Sequence, residues 1–274
     1  MLWVPWIRGY RRRICGLVCK KWGVIALVII IMIISPVFMF PLLERQRALV
    51  SPAILYMAGI PITIGAVVYM YFTHAVPPMR SLSQDQVSPI TRAMIEWVKH
   101  RAGLAREVKV LRAPGPMNMG VYDRFSSCTF IIQGPLERML SLEELEAVIA
   151  HEFAHVKARD APMAIVMSIP AMFHVWLALH ALFSLNVVGC WAASLLACIC
   201  FALAAWFKRL TEHLADLGAL QILGPERHED MTTALMKIEA MNILAVRDVD
   251  DLKRRTIWSS HPSMEDRLTM LAPR

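Results

Sequence analysis

The run Ser141–Asp160, "SLEELEAVIAHEFAHVKARD", carries His151, Glu152 and His155 at a spacing that suits metal hydrolysis. Side chains four apart lie on one helical face, so two imidazoles at that spacing can grip one ion. Glu152 stands one residue on, beside such an ion rather than on it. Two ligands and a general base for an attacking water is the arrangement of zinc hydrolases. By ordinary residue frequencies the pattern arises in about one chain per hundred of this size. It therefore needs a third ligand and a fitting context.

A catalytic zinc takes three protein ligands and keeps a fourth position open. The best carboxylate supply is "RLTEHLADLGA", Arg209–Ala219. Glu212 and Asp216 are four apart, hence on one face. Glu212 can bind the ion. Asp216, one turn later, can accept from the other ring nitrogen of a ligand histidine and fix its tautomer. The plain alternative is an exposed face on which Glu212 or Asp216 pairs with Lys208 or Arg209. Taken together with the His151–His155 motif in the same chain, metal binding is the stronger reading. Glu229 and Asp230 are the next carboxylates to test.

These groups need helices to hold them. Ser141 followed by Glu144 is a capping-box pattern, and Leu142, Leu145, Val148 and Ile149 recur at helical spacing. The spacing predicts helices over Pro89–Arg101, Arg209–Leu223, Asp230–Leu244 and Pro262–Leu271. "EVKVLRAP" and "CTFIIQG" read as strands, with a short strand in the turn-rich stretch between them. A small sheet with helices around it is an α+β domain.

The rest of the chain is apolar. Of 274 residues, 57% are hydrophobic and 19% charged, with a net charge of +7; a soluble domain seldom has that balance. Four stretches explain it: Trp22–Phe40, Pro52–Phe72, Ala161–Phe183 and Asn186–Phe207 lack Asp, Glu, Lys and Arg. Each is about long enough to cross a hydrocarbon core of roughly 30 Å. Pro36, Pro61 and Pro170 fall inside them, where neighbouring helices tolerate a kink. The first run reads as a retained anchor, being long, without a clear cleavage site and followed at once by another span. Basic residues precede the first span (Arg8, Arg11, Arg12, Arg13, Lys20, Lys21), follow the second and fourth, and precede the third. The positive-inside rule then puts both termini and nearly all polar sequence in the cytosol. The expected order is a basic N-terminus over 1–21, two spans over 22–74, a first catalytic part over 75–160, a transmembrane hairpin over 161–207 and a second catalytic part over 208–274.

Composition excludes several classes. The basic charge serves topology and the lipid bilayer, and no basic–aromatic interleaving points to nucleic acid. The six cysteines show no zinc spacing and read as small apolar fillers or membrane-facing groups. The spans hold too few acidic ligands for a metal transporter. His174 and His180, inside the third span, read as hydrogen-bonded packing residues; His213 and His228 read as surface residues. Trp176, Trp191 and Trp206 read as interface or bundle positions.

From about Val110 onward the chain resembles the membrane-embedded zinc metalloproteases typified by the heat-shock protease HtpX, and more distantly the CAAX prenyl endoproteases. The resemblance rests on His151–His155 as H-E-x-x-H, Glu212–Asp216 as E-x-x-x-D, the lead-in "GPLERMLSLEEL", Asp160, and His261–Pro262 followed by Arg267. The spans before and between the motifs also match. The family's Asn-Ala-Phe strand stands here as Asn118–Met119–Gly120. The resemblance implies a zincin-type (gluzincin) fold, mainly helical α+β, with four transmembrane helices and a cytosolic protease domain. It implies one zinc per subunit held by His151, His155 and Glu212, with Asp216 in support and Glu152 as the base. It offers His261 as the first oxyanion donor, then Arg267 and Asn118; Tyr122 is a weaker choice.

The expected activity is zinc-dependent endopeptidase action on misfolded or unfolded membrane-protein segments, in the inner membrane of a bacterial cell and in a stress-response setting. Asn118 and its strand would pair with an extended substrate. The alternatives are a specific processing protease of CAAX type and a non-catalytic adaptor with a structural zinc. Glu152 speaks against the adaptor, because a purely structural site has no use for a base.

Overall fold

In the computed structural model, residues 3–44, 58–65, 87–114, 117–123, 127–245 and 262–272 are described. The chain divides into two compact units. One comprises Met1–Val18, Val76–Ala161 and Arg209–Arg274, and the other Cys19–Ala75 and Pro162–Lys208.

The first unit holds the small sheet and the helices that carry the chemistry. Helix α2, Pro89–Ala102, starts at Ser88, whose hydroxyl accepts from the Thr91 amide, and ends at Gly103 with φ 73°. Strands β1 (Glu107–Ala113), β2 (Asn118–Asp123) and β3 (Ser127–Gln133) follow in the spatial order β1-β3-β2. β1 pairs with β3 in parallel, Val110 opposite Phe130, and β2 pairs with β3 antiparallel, Val121 opposite Phe130. β3 is the central strand and its side chains are the most deeply buried: Phe130, Ile131 and Ile132. A short helix α3, Leu136–Met139, leads into α4, Leu142–Ala158.

Helix α4 forms for the reasons its sequence suggests. The Ser141 hydroxyl accepts from the Glu144 amide at 3.2 Å, and the Glu144 carboxylate accepts from the Ser141 amide at 2.8 Å. This reciprocal cap satisfies two amides that a helix start leaves without partners. Glu144 also takes Lys237 at 2.8 Å, tying α4 to helix α7, His228–Ala245. Phe153 packs on Phe130, ring centres 4.6 Å apart, so α4 lies on the sheet through two fully buried aromatics. It ends at Arg159, which adopts φ 54° and returns its amide to the His155 and Val156 carbonyls.

Helix α6, Val187–Leu223, enters the first unit at Arg209. Arg101 of α2 donates to the Leu223 carbonyl at 3.0 Å, satisfying one of the carbonyls that a helix end leaves open. Gly224, at φ 114°, and Pro225 then stop the helix. The last element is α8, Met264–Leu271, capped by Ser263 through the Asp266 amide at 3.1 Å.

The second unit is built from most of α1 (Trp3–Glu44), α5 (Asp160–Phe183) and the first part of α6. Met39, Phe173, Leu177, Ala181 and Ala193 form its core. Large apolar residues point outward, Ile33, Val37, Phe38, Trp191 and Leu195 among them, which is what a lipid-facing surface requires. Asn186 joins α1 to α6: its amide group donates to the Leu42 carbonyl and its oxygen accepts from the Gly189 amide, both at 2.8 Å. His174 Nδ1 meets the Pro170 carbonyl at 2.7 Å, and His180 Nε2 lies 3.3 Å from the Ser184 hydroxyl. Both are the hydrogen-bonded packing residues that were expected.

Among the described residues three helices are long and apolar enough to cross a membrane: α1, α5 and α6. Of the expected second span, only 58–65 lies within the described residues, and it is helical. Helix α1 runs through the basic segment before Trp22 from Trp3, and its part up to Val18 groups with the first unit. Lys and Arg are good helix formers, so charge marks where a span leaves the lipid but does not end the helix.

Candidate metal centre

Helix α4 presents His151, Glu152 and His155, and α6 presents Glu212 and Asp216, one turn apart. The helices can come close because Gly218 of α6 faces Ala154 of α4; a Cβ at Gly218 would stand 2.7 Å from the Ala154 Cβ. This contact lies between the two histidines in sequence and beside Asp216. The close crossing is what brings the motifs together.

The ring nitrogens converge. His151 Nε2 and His155 Nε2 are 3.2 Å apart. Glu212 Oε2 is 3.6 Å from the former and Glu212 Oε1 3.8 Å from the latter. A tetrahedral zinc with bonds of about 2.0–2.1 Å keeps its ligand atoms about 3.3 Å apart. Two nitrogens and one carboxylate at these separations fit such an ion, and this is the set whose ligand atoms all fall within 4.8 Å of one another. Nitrogen and oxygen donors suit zinc among the common divalent ions. Asp230, one of the alternative carboxylates, is engaged by Arg227 at 2.5 Å.

Each histidine has a carboxylate on its far nitrogen. His155 Nδ1 meets Asp160 Oδ2 at 2.8 Å. His151 Nδ1 lies 2.9 Å from Asp216 Oδ1, a close contact that is not in line with the ring N–H. With Nδ1 held by a carboxylate, Nε2 presents its lone pair, which is how outer partners fix ligand tautomers. Asp216, wholly buried, is itself held by Arg267 of α8, Nε to Oδ2 at 2.8 Å and Nη2 to Oδ1 at 2.5 Å. This two-pronged pairing uses the planar fork of the guanidinium. Arg267 Nη2 is also 3.9 Å from Glu212 Oε2.

The electrostatics follow from burial and these partners. Burial opposes a charge on Asp216, but Arg267 outweighs it and holds the carboxyl below its ordinary value. Burial likewise opposes a charge on His151, yet in the metal-free protein Asp216 and Glu212 push the imidazole up to about 10, so an ion bound there would displace the Nε2 proton. Glu152 goes the other way: burial raises it, and the nearby histidines offset only part of the rise. The Val121 backbone of β2 lies near enough to Glu152 to offset a little more of it. Tyr122, next along the strand, is raised by burial and by Glu152. Strand β2 therefore passes beside the base.

The other expected site residues fall as follows. Asn118 begins β2, and its side-chain oxygen accepts from the Met119 amide at 2.9 Å. Arg267 reaches the centre through Asp216 and Glu212. His261 lies outside the described residues. His213 corrects an expectation: it is half-buried rather than on the surface, and its Nδ1 is buried without a hydrogen-bond partner among the described residues. Burial holds its ring below the ordinary value, and Arg267 and Asp266 of α8 are among the charges near it. Two partners were not assigned from sequence, Asp160 for His155 and Arg267 for Asp216. The signal for the first was an acid five residues beyond His155. It becomes usable only once Arg159 is known to turn the chain left-handed.

Comparison with known proteins agrees with this geometry. Residues 85–274 match the family model described as "Peptidase family M48". The chain is 27% identical over 209 residues to Protease HtpX of Thioalkalivibrio sulfidiphilus, covering 65% of this chain and 70% of that one. It is 27% identical over 193 residues to Protease HtpX homolog 2 of Methanosarcina mazei, covering 60% and 65%. It is 31% identical over 150 residues to Protease HtpX homolog 1 of Saccharolobus solfataricus, covering 48% of each. The matched segments thus cover 48–70% of the length of these relatives. In structure it is similar to the crystal structure of S. mikatae Ste24p, with a TM-score of 0.59 and 16% identity, covering 92% of this chain and 67% of that one. At that identity the likeness is one of fold.

Proposed function

The chain belongs to peptidase family M48, and from that membership we propose that it is a membrane-bound, zinc-dependent endopeptidase acting on unfolded or damaged segments of membrane proteins at the cytosolic face. The observation that carries the reading is the convergence of His151, His155 and Glu212, with Glu152 beside them. A structural zinc site would need neither an open ligand position nor a buried carboxylate next to it.

Bound zinc would supply Lewis acidity to a water and to the scissile carbonyl. Everything else is done by the chain. Asp160 and Asp216 orient the two imidazoles, and Arg267 keeps Asp216 ionised and in place. Glu152 accepts the proton of the attacking water and returns it to the leaving amine. Burial raises its affinity for that proton. The outer edge of β2 offers backbone groups to an extended peptide, which gives affinity with little demand on side chains. Low sequence preference suits removal of misfolded segments. His261, Asn118 and Tyr122 are the candidates for a donor to the developing oxyanion.

The cytosolic placement rests on the distribution of Lys and Arg around the apolar helices. Single cysteines at Gln46 and Asp250 in a cysteine-free background test it: an impermeant thiol reagent should label the first in intact cells and not the second. Labelling at 250 would reverse the orientation. For the activity, the purified protein in detergent should cleave casein, stop when a chelator removes the metal and recover with zinc. Cleavage unaffected by complete metal removal would refute the proposal.

A further inference from the structure

The shortest helix of the first unit that carries a site residue is α8, eight residues long. A helix of that length is not stable by itself in water; it stays ordered only through what holds it. Its start is capped by Ser263, and its middle is held by Arg267 on Asp216. Its end is held from the other end of the chain. Arg13, on the basic first turns of α1, donates from Nη1 to the Met270 carbonyl at 2.6 Å and to the Ala272 carbonyl at 3.1 Å. The last carbonyls of a helix lack partners within it, and a cation there also meets the negative end of the helix dipole. Both effects make Arg13 a fitting clamp. Arg13 is only partly exposed, unlike Arg11 and Arg12 beside it.

A continuous series of polar contacts therefore runs from α1 to the histidine pair: Arg13 to the Met270 carbonyl, then through the three residues back to Arg267, to Asp216, to His151 Nδ1. The basic residues before the first apolar run are explained by topology as a group, but topology does not need one of them turned inward onto the C-terminal helix. We propose that Arg13 is a positioning residue of the metal centre. It keeps the last turn of α8 wound, so that Arg267 stays on Asp216 and Asp216 stays on His151. This inference rests on the metal-centre reading above. It adds that the first membrane helix sets the geometry of the site through its basic turn. Whatever displaces Arg13 from α8, an anionic lipid headgroup included, would loosen the centre.

The test uses the full chain in detergent and follows zinc release to a chromogenic chelator. Arg13→Met keeps the length of the side chain and removes the charge and the donors. It should release zinc about three- to tenfold faster, less than the roughly 10–100-fold expected for a partner that touches a ligand directly. Arg13→Lys can still reach one carbonyl and should restore most of the loss. The deciding arm is a double-mutant cycle. In an Arg267→Met background, Arg13→Met should add nothing, because its effect passes through Arg267. A general loss of stability would instead add in full, and additive effects would overturn the proposal, as would release at the wild-type rate in Arg13→Met. The second measurement is hydrogen exchange over Met264–Leu271, which needs no metal. Arg13→Met should lower protection there, and unchanged protection overturns the proposal. If the wild-type protein holds no zinc at all, the metal reading fails, and hydrogen exchange alone then decides the Arg13 contact.

Discussion

Gly218 lies so close under Ala154 that a Cβ on it would stand 2.7 Å from the Ala154 Cβ. That spacing sets how near α6 can come to α4, and so how near Glu212 comes to His151 and His155. Gly218→Ala should push the helices apart and cost about 1–3 kcal/mol, as overpacking in a close contact does. Zinc should also be held less firmly. Ala154→Gly in the same chain should recover much of both losses, because the clash is between these two methyls. Thermal unfolding and metal analysis of the single and double variants check this. Full metal content and unchanged unfolding in Gly218→Ala would mean that the crossing is slack.

The two carboxylates behind the histidines make a paired comparison. Asp160 holds His155 at 2.8 Å, and Asp216 lies 2.9 Å from His151. Asp160→Asn and Asp216→Asn should each weaken zinc binding by about 10–100-fold while leaving one site per chain. Asp216→Asn should have the larger effect on stability, since it also leaves the buried Arg267 without its charged partner, and breaking a buried pair on one side costs more than removing a surface group. Equilibrium competition with a chelator measures both. Wild-type affinity in Asp160→Asn would show that His155 needs no outer partner.

Glu212 is the candidate third ligand, offered in the sequence by its spacing from Asp216 and by the family resemblance. Glu212→Ala should lose zinc and proteolysis together, because two imidazoles alone make a weak site. Metal analysis after mild chelation decides, and retention of a full equivalent would move the third ligand elsewhere.

The pH dependence has a definite sign. Glu152 must be ionised to take a proton, and burial raises its pKa above the ordinary glutamate value of 4.5. The active form is therefore present above the raised value and lost as the pH falls through it. In the metal-free protein the Glu152 carboxyl should titrate above 4.5, and a bound dication would pull it down and move the acid limb of kcat/KM below that value. Titration of Glu152 at or below 4.5 in the metal-free protein would contradict this assignment.

Much of the site could be read before the fold was known, because its parts are local. Ser141 and Glu144 cap α4 through residues three apart, and His151, His155, Glu212 and Asp216 repeat at the helical turn. Periodicity and capping chemistry report such relations directly. What could not be read depends on the meeting of distant segments. The partner of Asp216 is 51 residues away at Arg267, and nothing in the spacing of either residue points to the other. Arg13 and Met270 are farther still. His213 looked like a surface residue because the burial of one helix face is decided by what packs on it, which the spacing of that helix does not report. That the basic segment before Trp22 is helical was not read, because hydropathy marks the lipid-crossing part of a helix and is silent on its charged continuation.

Glu152→Gln is the most direct test of the whole reading. Glutamine keeps the size and the hydrogen-bonding capacity of the side chain and removes the base. The variant should insert in the membrane, fold and bind one zinc per chain, while casein cleavage falls by at least the roughly 10²–10⁴-fold of lost acid–base catalysis. His151→Ala, run beside it, should lose the metal as well as the activity, which separates chemistry from coordination. Cleavage at the wild-type rate by Glu152→Gln with its zinc in place would show that Glu152 is not the base and would contradict the mechanism.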